Sequence, residues 1–347
     1  MSIQTTIEWC DSTANPAMGC DGCELWNGTE RRCYAGALTH RYGGHSKGYP
    51  ASFSQPVIFP ERIGQMIRWS DLTGQPRPLK PWLDGYPRTI FLGDMGDNFT
   101  ESLALDWLSP YVPAMAASPH IYILLTKRPA RMARFWLQWL LSPAGRQIGR
   151  GAIPANFWLL TSVTSQANAG RIDELIRLRQ LRPAVLGVSF EPAWSALDLR
   201  PYLTDPAGPA LQWIIAGGET GAAAKPYNPV WFRDVRDLCH KTGAAFFFKH
   251  SGEWSPTAPP TFHKISSKTY SHQTHAYGKN GLDYNPVRPD PDDFPQMVYR
   301  VGKDAAGAEL DGREWRGMPA NPRELEAARR GVRERAAKSL LIGDPQA

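Results

Sequence analysis

The chain has 347 residues, of which 42% are hydrophobic and 21% charged, and these proportions are those of a folded protein with a large core, which excludes a disordered chain. A net charge of +6 favours an anionic partner such as nucleic acid, although an ordinary arginine-rich surface would give the same value. No stretch approaches the roughly eighteen apolar residues of a membrane span, and the first ten residues carry no signal-peptide pattern. We therefore expect no membrane association and a cytoplasmic location, where thiols stay reduced.

The first distinctive feature along the chain is a polar loop at 10–34 that follows a short predicted strand at 7–9. The loop contains three of the five cysteines, namely Cys20, Cys23 and Cys33. A structural zinc ion needs a fourth protein ligand, for which Cys10, His40 and His45 are near in sequence. Three thiolates without a fourth are instead what a 4Fe–4S cluster needs if one iron stays open. The spacing leaves both open and slightly favours zinc, because Cys-x2-Cys pairs are common in zinc sites.

Between residues 88 and 250, short apolar runs alternate with longer amphipathic stretches. Runs this short and apolar are typical of strands covered on both faces, as in a parallel sheet. With 7–9 they predict about seven strands, the others lying at 88–95, 120–128, 156–163, 184–192, 212–219 and 244–250. The amphipathic stretches predict helices at 103–117, 130–141, 169–181 and 230–243. The predicted fold is therefore α/β, a full or partial TIM-like (β/α) barrel of six to seven parallel strands, with an open doubly wound sheet as the alternative.

Polar residues end each predicted strand from the second onward. They are Asp94, Lys127, Thr161 with Ser162, Ser189 with Glu191, Glu219, and Lys249 with His250. In parallel α/β proteins the carboxyl ends of the strands build the active site, and the cysteine loop opens onto the same mouth. Helix capping would explain one such residue, but a polar pocket is the better interpretation of six strand ends in succession.

The barrel is predicted to occupy 1–254 and to be followed by a loop-rich C-terminal extension at 255–347. Within the extension, 255–295 is predicted to be a long loop or lid, because it is rich in Pro, Ser, Thr, His and Tyr. Two short runs, MVYRVGK and AELDGREW, predict a hairpin within 296–315. An arginine-rich surface helix is predicted at 321–340.

The segment TIEWCDSTANPAMGCDGCELWNGTERRCYA resembles the N-terminal signature of a phage- and bacterium-borne three-cysteine family of the radical SAM superfamily, related to spore photoproduct lyase. The resemblance continues through LLTKRP, SFEP, WIIAGGETG, FFFKHSGEW and RVGKDAAGAELDGREW, and so covers most of the chain. The usual Cys-x3-Cys-x2-Cys is here Cys-x2-Cys-x9-Cys. Cys10 occupies a position where the family commonly has another residue, which argues against it as a fourth ligand.

The resemblance implies roles for individual residues. A 4Fe–4S cluster held by Cys20, Cys23 and Cys33 would cleave S-adenosylmethionine to a 5′-deoxyadenosyl radical, with Tyr34 close to the cluster or to adenine. The methionine ammonium would lie at Gly93 and Asp94, the carboxylate at Lys127, and the ribose hydroxyls at Thr161, Ser162 and Thr164. Glu191 and Glu219 would face substrate or ribose, while Lys249 and His250 would meet an anionic group or transfer a proton. A salt bridge closing the barrel mouth is an equal alternative for Lys249 and Glu219.

The resemblance also implies a substrate and partners. We expect an isomerase-like enzyme that moves an amino-acid substituent on thymine of phage DNA from an N-link to a C-link. Core packing is expected to explain most of the aromatic residues, while the Pro/His/Tyr-rich segment and surplus tryptophans are candidates to shape a groove or stack an extruded base. A nucleobase repair lyase, or another radical modification of DNA or RNA, is the alternative within this class. A zinc protein that binds nucleic acid is the alternative of a different class. An external electron donor such as flavodoxin or ferredoxin is expected, as is a monomer in the bacterial or host cytoplasm.

Overall fold

The computed structural model describes residues 1–46, 48–206, 208–257, 273–277 and 296–321. Seven parallel strands form one curled half-barrel, and their order in the sheet follows their order in the chain. They are β1 (Ser12–Ala14), β2 (Thr89–Leu92), β3 (Ile121–Thr126), β4 (Phe157–Ser162), β5 (Val185–Phe190), β6 (Trp213–Ala216) and β7 (Ala245–Phe248). The predicted partial (β/α) barrel is confirmed. A doubly wound sheet is wrong, because it would require the strand order to reverse.

Helices alternate with these strands. They are α1 (Tyr34–Tyr42), α2 (Glu61–Ile67), α3 (Val112–Ala117), α4 (Pro129–Leu141), α5 (Pro143–Gly149), α6 (Gly170–Ile176), α7 (Arg200–Leu203), α8 (Pro229–Thr242) and α9 (Lys303–Ala306). Short 3-10 turns cover Pro81–Leu83, Ser109–Tyr111, Gln166–Asn168 and Arg177–Leu181. In the described ranges, no helix has both the length and the apolar character needed to cross a bilayer.

The two faces of the half-barrel bury different cores. The inner face is filled largely by aromatic side chains, with Trp158 and Trp213 stacked edge to face at 5.7 Å between ring centroids. Gly187 makes room for them, since a Cβ there would lie 2.7 Å from the Trp213 carbonyl oxygen. The outer face packs against the helices and buries Trp136 and Trp139 of α4. Core packing therefore accounts for these four tryptophans, which are too deeply buried to stack on an extruded base.

The first strand differs from the prediction. Residues 7–9 form a turn, and Lys80 Nζ stabilises it by donating to the carbonyl oxygens of Thr5 at 2.7 Å and Cys10 at 2.6 Å. The strand that pairs with β2 is Ser12–Ala14 instead. This strand contains no large apolar side chain, and for that reason the hydrophobic pattern did not reveal it.

The predicted helix at 103–117 is also shorter than expected. Its first part forms turns, Ser109–Tyr111 is a 3-10 turn, and only Val112–Ala117 is α-helical. Pro110 and Pro113 explain the difference, because a proline has no backbone N–H to donate and resists the helix interior. The helices predicted at 130–141, 169–181 and 230–243 are present, although the second ends as a 3-10 turn.

The described parts of the C-terminal extension pack against the barrel. Gln296–Arg300 pairs antiparallel with both Trp254–Ser255 and Thr274–Tyr277. The predicted pairing of MVYRVGK with AELDGREW is wrong, since the hairpin lies within the latter, between Glu309–Leu310 and Arg313–Glu314. Most of the predicted loop at 255–295, and all of the predicted helix at 321–340 except its first residue, lie outside the described residues.

A final segment covers the edge strand β7. The Phe248 N–H donates to the Trp315 carbonyl oxygen at 2.8 Å, and the Gly317 N–H donates to the Phe246 carbonyl oxygen at 2.8 Å. Between them, Arg316 lies over the rings of Trp82 and Phe247. The edge strand β7 is therefore hydrogen-bonded to a later segment of the same chain. This pairing removes a template on which other chains could add a strand and aggregate.

Candidate functional site

A cavity of about 480 Å³ opens at the carboxyl ends of the strands, between the half-barrel and the cysteine loop. This volume falls within the range of roughly 300–1,000 Å³ that is usual for small-molecule sites. Most of the residues predicted for the site line it, namely Cys20, Cys23, Cys33, Tyr34, Gly93, Asp94, Lys127, Ser162, Glu191, Glu219 and Lys249. The tertiary structure therefore brings the cysteine loop and the strand-end residues to one place.

Thr161, Thr164 and His250 do not line the cavity. Thr161 donates from Oγ1 to the Thr126 carbonyl oxygen at 2.9 Å, while Thr164 and His250 are also buried in hydrogen-bonded positions. The pleat explains this for Thr161 and His250, because neighbouring residues of a strand point to opposite faces, whereas Thr164 lies beyond the end of β4. Ser162 continues the inward set of β4, and Lys249 continues that of β7. Applying this period of two to the sequence would have separated Ser162 from Thr161 and Lys249 from His250.

The three cysteines of the loop are free thiols that face this cavity. In the parts of the chain that the structure describes, no three or more His, Cys, Asp or Glu side chains are grouped so as to hold a metal ion. Cys10, His40 and His45, the proposed fourth zinc ligands, do not line the cavity, and Cys10 is fully buried in the barrel core. The expected fourth zinc ligands therefore do not lie beside these thiols in the described ranges, and the ungrouped thiols by themselves do not distinguish zinc from an iron–sulfur cluster.

Three cysteine side chains are the kind of donor set that holds an iron–sulfur cluster, although within the described residues they do not form a group that could hold a metal ion. Arg128 approaches the Cys20 sulfur with Nη1 at 3.4 Å, and the Leu25 backbone N–H donates to the Cys23 sulfur at 3.4 Å. Hydrogen bonds of this kind to the sulfurs are one of the means by which proteins tune such clusters. Burial raises the pKa of Cys33, against the lowering effect of the backbone N–H of Gly36.

Arg128, at the start of α4, connects the cysteine loop to the end of β3. Its Nη1 donates to Asp97 Oδ2 at 2.9 Å and its Nη2 to the Gly22 carbonyl oxygen at 2.8 Å. Asp97 in turn accepts from the Thr126 hydroxyl at 2.7 Å. Neither Arg128 nor Asp97 was identified from the sequence, although Arg128 lies within the LLTKRP motif.

A second arginine holds the same loop from the other side. Arg171 of α6 donates to both carboxylate oxygens of Glu24, at 2.9 and 2.7 Å, and also to the Ser162 carbonyl oxygen at 3.0 Å. Burial alone would raise the pKa of Glu24, but the hydrogen bonds from Arg171 and the charge of Lys127 lower it to about 2. This bidentate pair was also missed, because no sequence pattern relates two residues so far apart.

Glu219 makes the third connection to the loop. Its carboxylate accepts from Arg32 Nη1 at 3.0 Å, from Trp194 Nε1 at 3.0 Å and from the Lys225 backbone N–H at 2.8 Å. Lys249 pairs with Glu191 at 2.7 Å instead. Each member of the expected Lys249–Glu219 bridge is thus in a salt bridge, but with a different partner.

The buried pair of Glu191 and Lys249 lies beside His250. Burial alone would raise the pKa of Glu191, but the charge of Lys249 lowers it, and Glu191 in turn raises the pKa of Lys249 against the effect of burial. Burial lowers the pKa of His250 to about 4, so its ring is neutral near pH 7. His250 Nδ1 accepts from the Gly252 N–H, which places the ring proton on Nε2, 3.5 Å from Glu191.

Asp94 and Lys127 differ from the other charged side chains that line the cavity. The others form salt bridges with one another, in the pairs Arg32–Glu219, Arg128–Asp97 and Lys249–Glu191. Within the described residues, neither Asp94 nor Lys127 has a salt-bridge partner within 4.0 Å. Lys127 Nζ donates to the Ser162 hydroxyl at 3.0 Å, and Asp94 Oδ1 accepts from Asn15 Nδ2 at 2.6 Å. The cavity therefore offers one acidic and one basic group to a ligand.

Two further residues shape the wall near Asp94. Gly93 has a φ of +96°, and a Cβ there would lie 2.6 Å from Asn98 Nδ2, so only glycine fits. The Tyr34 hydroxyl donates to the Asp94 carbonyl oxygen, which links the start of α1 to the end of β2.

Comparison with curated proteins gave no match, and neither did comparison with solved structures. A family model described as "Protein of unknown function (DUF5131)" matches residues 4–319. The matched region includes the cysteine loop, all seven strands of the half-barrel and every residue that lines the cavity. The chain belongs to the DUF5131 family.

Proposed function

We propose that the protein is a radical SAM enzyme, with Cys20, Cys23 and Cys33 as the ligands of a 4Fe–4S cluster. When bound, this group supplies the electron for reductive cleavage of S-adenosylmethionine to a 5′-deoxyadenosyl radical. The observation that carries the proposal is that two charged side chains without a salt-bridge partner among the described residues, Asp94 and Lys127, line the same cavity as three free thiols.

S-Adenosylmethionine suits these two charges because its methionine part carries one ammonium and one carboxylate. Burial raises the pKa of Asp94, against the hydrogen bond from Asn15, and a bound ammonium would stabilise the ionised carboxylate. Lys127 would meet the ligand's carboxylate as a point charge. Ser162 and Tyr34 line the same cavity and are available to the rest of the cosubstrate.

For the substrate we propose thymine in DNA that carries an amino-acid substituent, which the enzyme rearranges from an N-link to a C-link. The net charge of +6 favours a polyanion. Exposed cations near the cavity support this, since Arg31 lies over Trp26 of the cavity wall and Lys225 over Trp194. Lys303 is also exposed. Its positive charge adds a smaller lowering of the pKa of Glu191 to those from Lys249 and His250. A duplex would have to extrude the base to reach the cavity.

Repair or another modification of a nucleobase is the alternative within the same class, and it uses the same site residues. An acidic electron-transfer protein such as flavodoxin or ferredoxin is the proposed reductant. A monomer in the cytoplasm remains our expectation.

The test of the cluster is purification without oxygen, followed by iron and sulfide analysis and low-temperature EPR after reduction with dithionite. We expect about four irons per chain and an EPR signal that changes when S-adenosylmethionine is added. A colourless protein with one zinc and no iron would overturn the proposal.

The substrate has a separate test. DNA with deuterium at the candidate carbon of the thymine substituent is incubated with reduced enzyme and S-adenosylmethionine. We expect deuterium in the recovered 5′-deoxyadenosine and a substituent of altered linkage that has lost this deuterium but keeps its other atoms. Unlabelled 5′-deoxyadenosine together with unchanged DNA would remove this substrate and leave the radical chemistry in place.

A further inference from the structure

Arg128 contacts a cysteine sulfur of the loop with its charged side chain. Its Nη1 lies 3.4 Å from Cys20 Sγ, and its Nη2 donates to the Gly22 carbonyl oxygen at 2.8 Å. We propose that Arg128 is a positioning residue that orients Cys20 toward the cavity and raises the reduction potential of the cluster bound there. This inference rests on the proposed function, because it concerns the group that the three cysteines would hold.

The guanidinium is itself held in place. Nη1 also donates to Asp97 Oδ2 at 2.9 Å. The Asp97 carboxylate is fixed by the Thr126 hydroxyl at 2.7 Å and by the Lys127 backbone N–H at 3.1 Å. Asp97 lies in the loop that follows β2, Thr126 and Lys127 lie at the end of β3, and the Arg128 side chain is only 15% exposed. A chain of hydrogen bonds therefore connects the barrel to the Cys20 sulfur through Asp97 and Arg128, and such outer contacts commonly orient metal ligands.

The expected effect on the cluster has a definite sign. Reduction adds negative charge, and an N–H donor or a positive charge at a ligand sulfur stabilises the reduced form more than the oxidised one. Removing Arg128 should therefore make the cluster harder to reduce. Asp97 partly offsets the charge of Arg128, so the N–H···S hydrogen bond is the larger contribution.

Arg171 provides a matched control. It ties the same loop to the barrel through both oxygens of Glu24, at 2.9 and 2.7 Å. In the described part of the chain its hydrogen bonds go to Glu24 and Ser162, with none to a sulfur. If loop anchoring alone set the reduction potential, Arg128→Gln and Arg171→Gln would shift it alike. Loss of the sulfur contact should shift the reduction potential in Arg128→Gln alone.

The experiment is a redox titration of the anaerobically reconstituted full-length protein, followed by EPR, for the wild type and both variants. In Arg128→Gln we expect the equilibrium constant for reduction to fall at least tenfold, which is a shift of about 59 mV to more negative potential for one electron. In Arg171→Gln we expect an unchanged potential. Equal potentials in the wild type and Arg128→Gln, or the same shift in both variants, would overturn the inference.

Two further outcomes also test the inference. If Arg128→Gln retains no cluster, Arg128→Lys is measured, since it keeps the charge but loses the planar fork. We expect a smaller negative shift there, and an unchanged potential would overturn the inference. If the wild type itself holds no iron, the proposed function fails, and this inference fails with it. An unshifted variant of an iron-containing wild type removes the inference alone.

Discussion

Lys249 donates from Nζ to Oε1 of Glu191 over 2.7 Å and so connects the carboxyl ends of β7 and β5 at the wall of the cavity. Both side chains are mostly buried, with 19% and 18% of their surface exposed. Removing one partner would leave the other charge buried without compensation, which is the costly way to break an ion pair.

We therefore expect Glu191→Gln to lower the free energy of unfolding by about 3 kcal/mol, measured by urea denaturation. Asp198→Asn is the matched control, because Asp198 pairs with Arg200 at the same distance of 2.7 Å but with 76% of the arginine side chain exposed. We expect the control to cost less than about 1 kcal/mol. Equal losses in the two variants would mean that the buried pair is as well solvated as the surface one.

A second prediction concerns the pH dependence of stability through His250. Burial lowers its pKa from 6.5 to about 4, while Glu191 acts to raise it and Lys249 and Lys303 to lower it. Because the folded pKa is depressed, the unfolded chain binds the proton first as the pH falls. The stability that depends on neutral His250 is therefore complete above about pH 6.5 and is lost as the pH falls towards about 4.

His250→Asn should flatten this dependence, and it keeps an acceptor for the Gly252 N–H. Denaturation curves between those pH values should show a slope smaller by up to about 1.4 kcal/mol per pH unit, the value for one proton. A wild-type slope that persists in His250→Asn would show that other groups cause it.

A third prediction tests the ligand set directly. Cys20→Ala, Cys23→Ala and Cys33→Ala should each abolish iron binding after anaerobic reconstitution, because each removes one of three thiolates. Cys10→Ala and Cys239→Ala should retain the full iron content, since both cysteines are completely buried in hydrophobic clusters and neither lines the cavity. Iron analysis that found a full cluster in Cys33→Ala, or none in Cys10→Ala, would show that a different set of ligands is used.

A fourth prediction tests the two unpaired charges. Asp94→Ala and Lys127→Ala should each weaken binding of S-adenosylmethionine by about 1.5–3 kcal/mol, the usual contribution of a charged hydrogen bond. Cluster content should be unchanged, and binding is measured by titration followed through the cluster signal. Lys225→Ala, which removes an exposed cation that does not line the cavity, should bind as the wild type does. If the Asp94 and Lys127 variants also keep wild-type affinity for S-adenosylmethionine, both residues contact the substrate or stabilise the fold instead.

The sequence by itself determined the sheet and the location of the site. Six apolar runs predicted β2 to β7, because strands buried on both faces need apolar side chains at nearly every position. The polar residues that end these runs mark the mouth of the barrel, since parallel strands place all their carboxyl ends at one edge. The inward alternation of β4 and β7 continues through Ser162 and Lys249, so these two side chains reach the cavity with a period of two, whereas Asp94 lies out of phase with Phe91 of β2 and with Gly93.

Only the tertiary structure decided which charges are paired. Arg128 with Cys20, Glu24 with Arg171 and Arg32 with Glu219 join residues between 108 and 187 positions apart, and no local pattern encodes such distances. The strand Ser12–Ala14 is likewise defined by its neighbour, because three small residues carry no hydrophobic signal until Thr89–Leu92 lies beside them. Local periodicity fixes which face of the sheet a residue takes, whereas the packing of distant segments fixes its partner. In the described cavity wall, this packing leaves Asp94 and Lys127 without a salt-bridge partner.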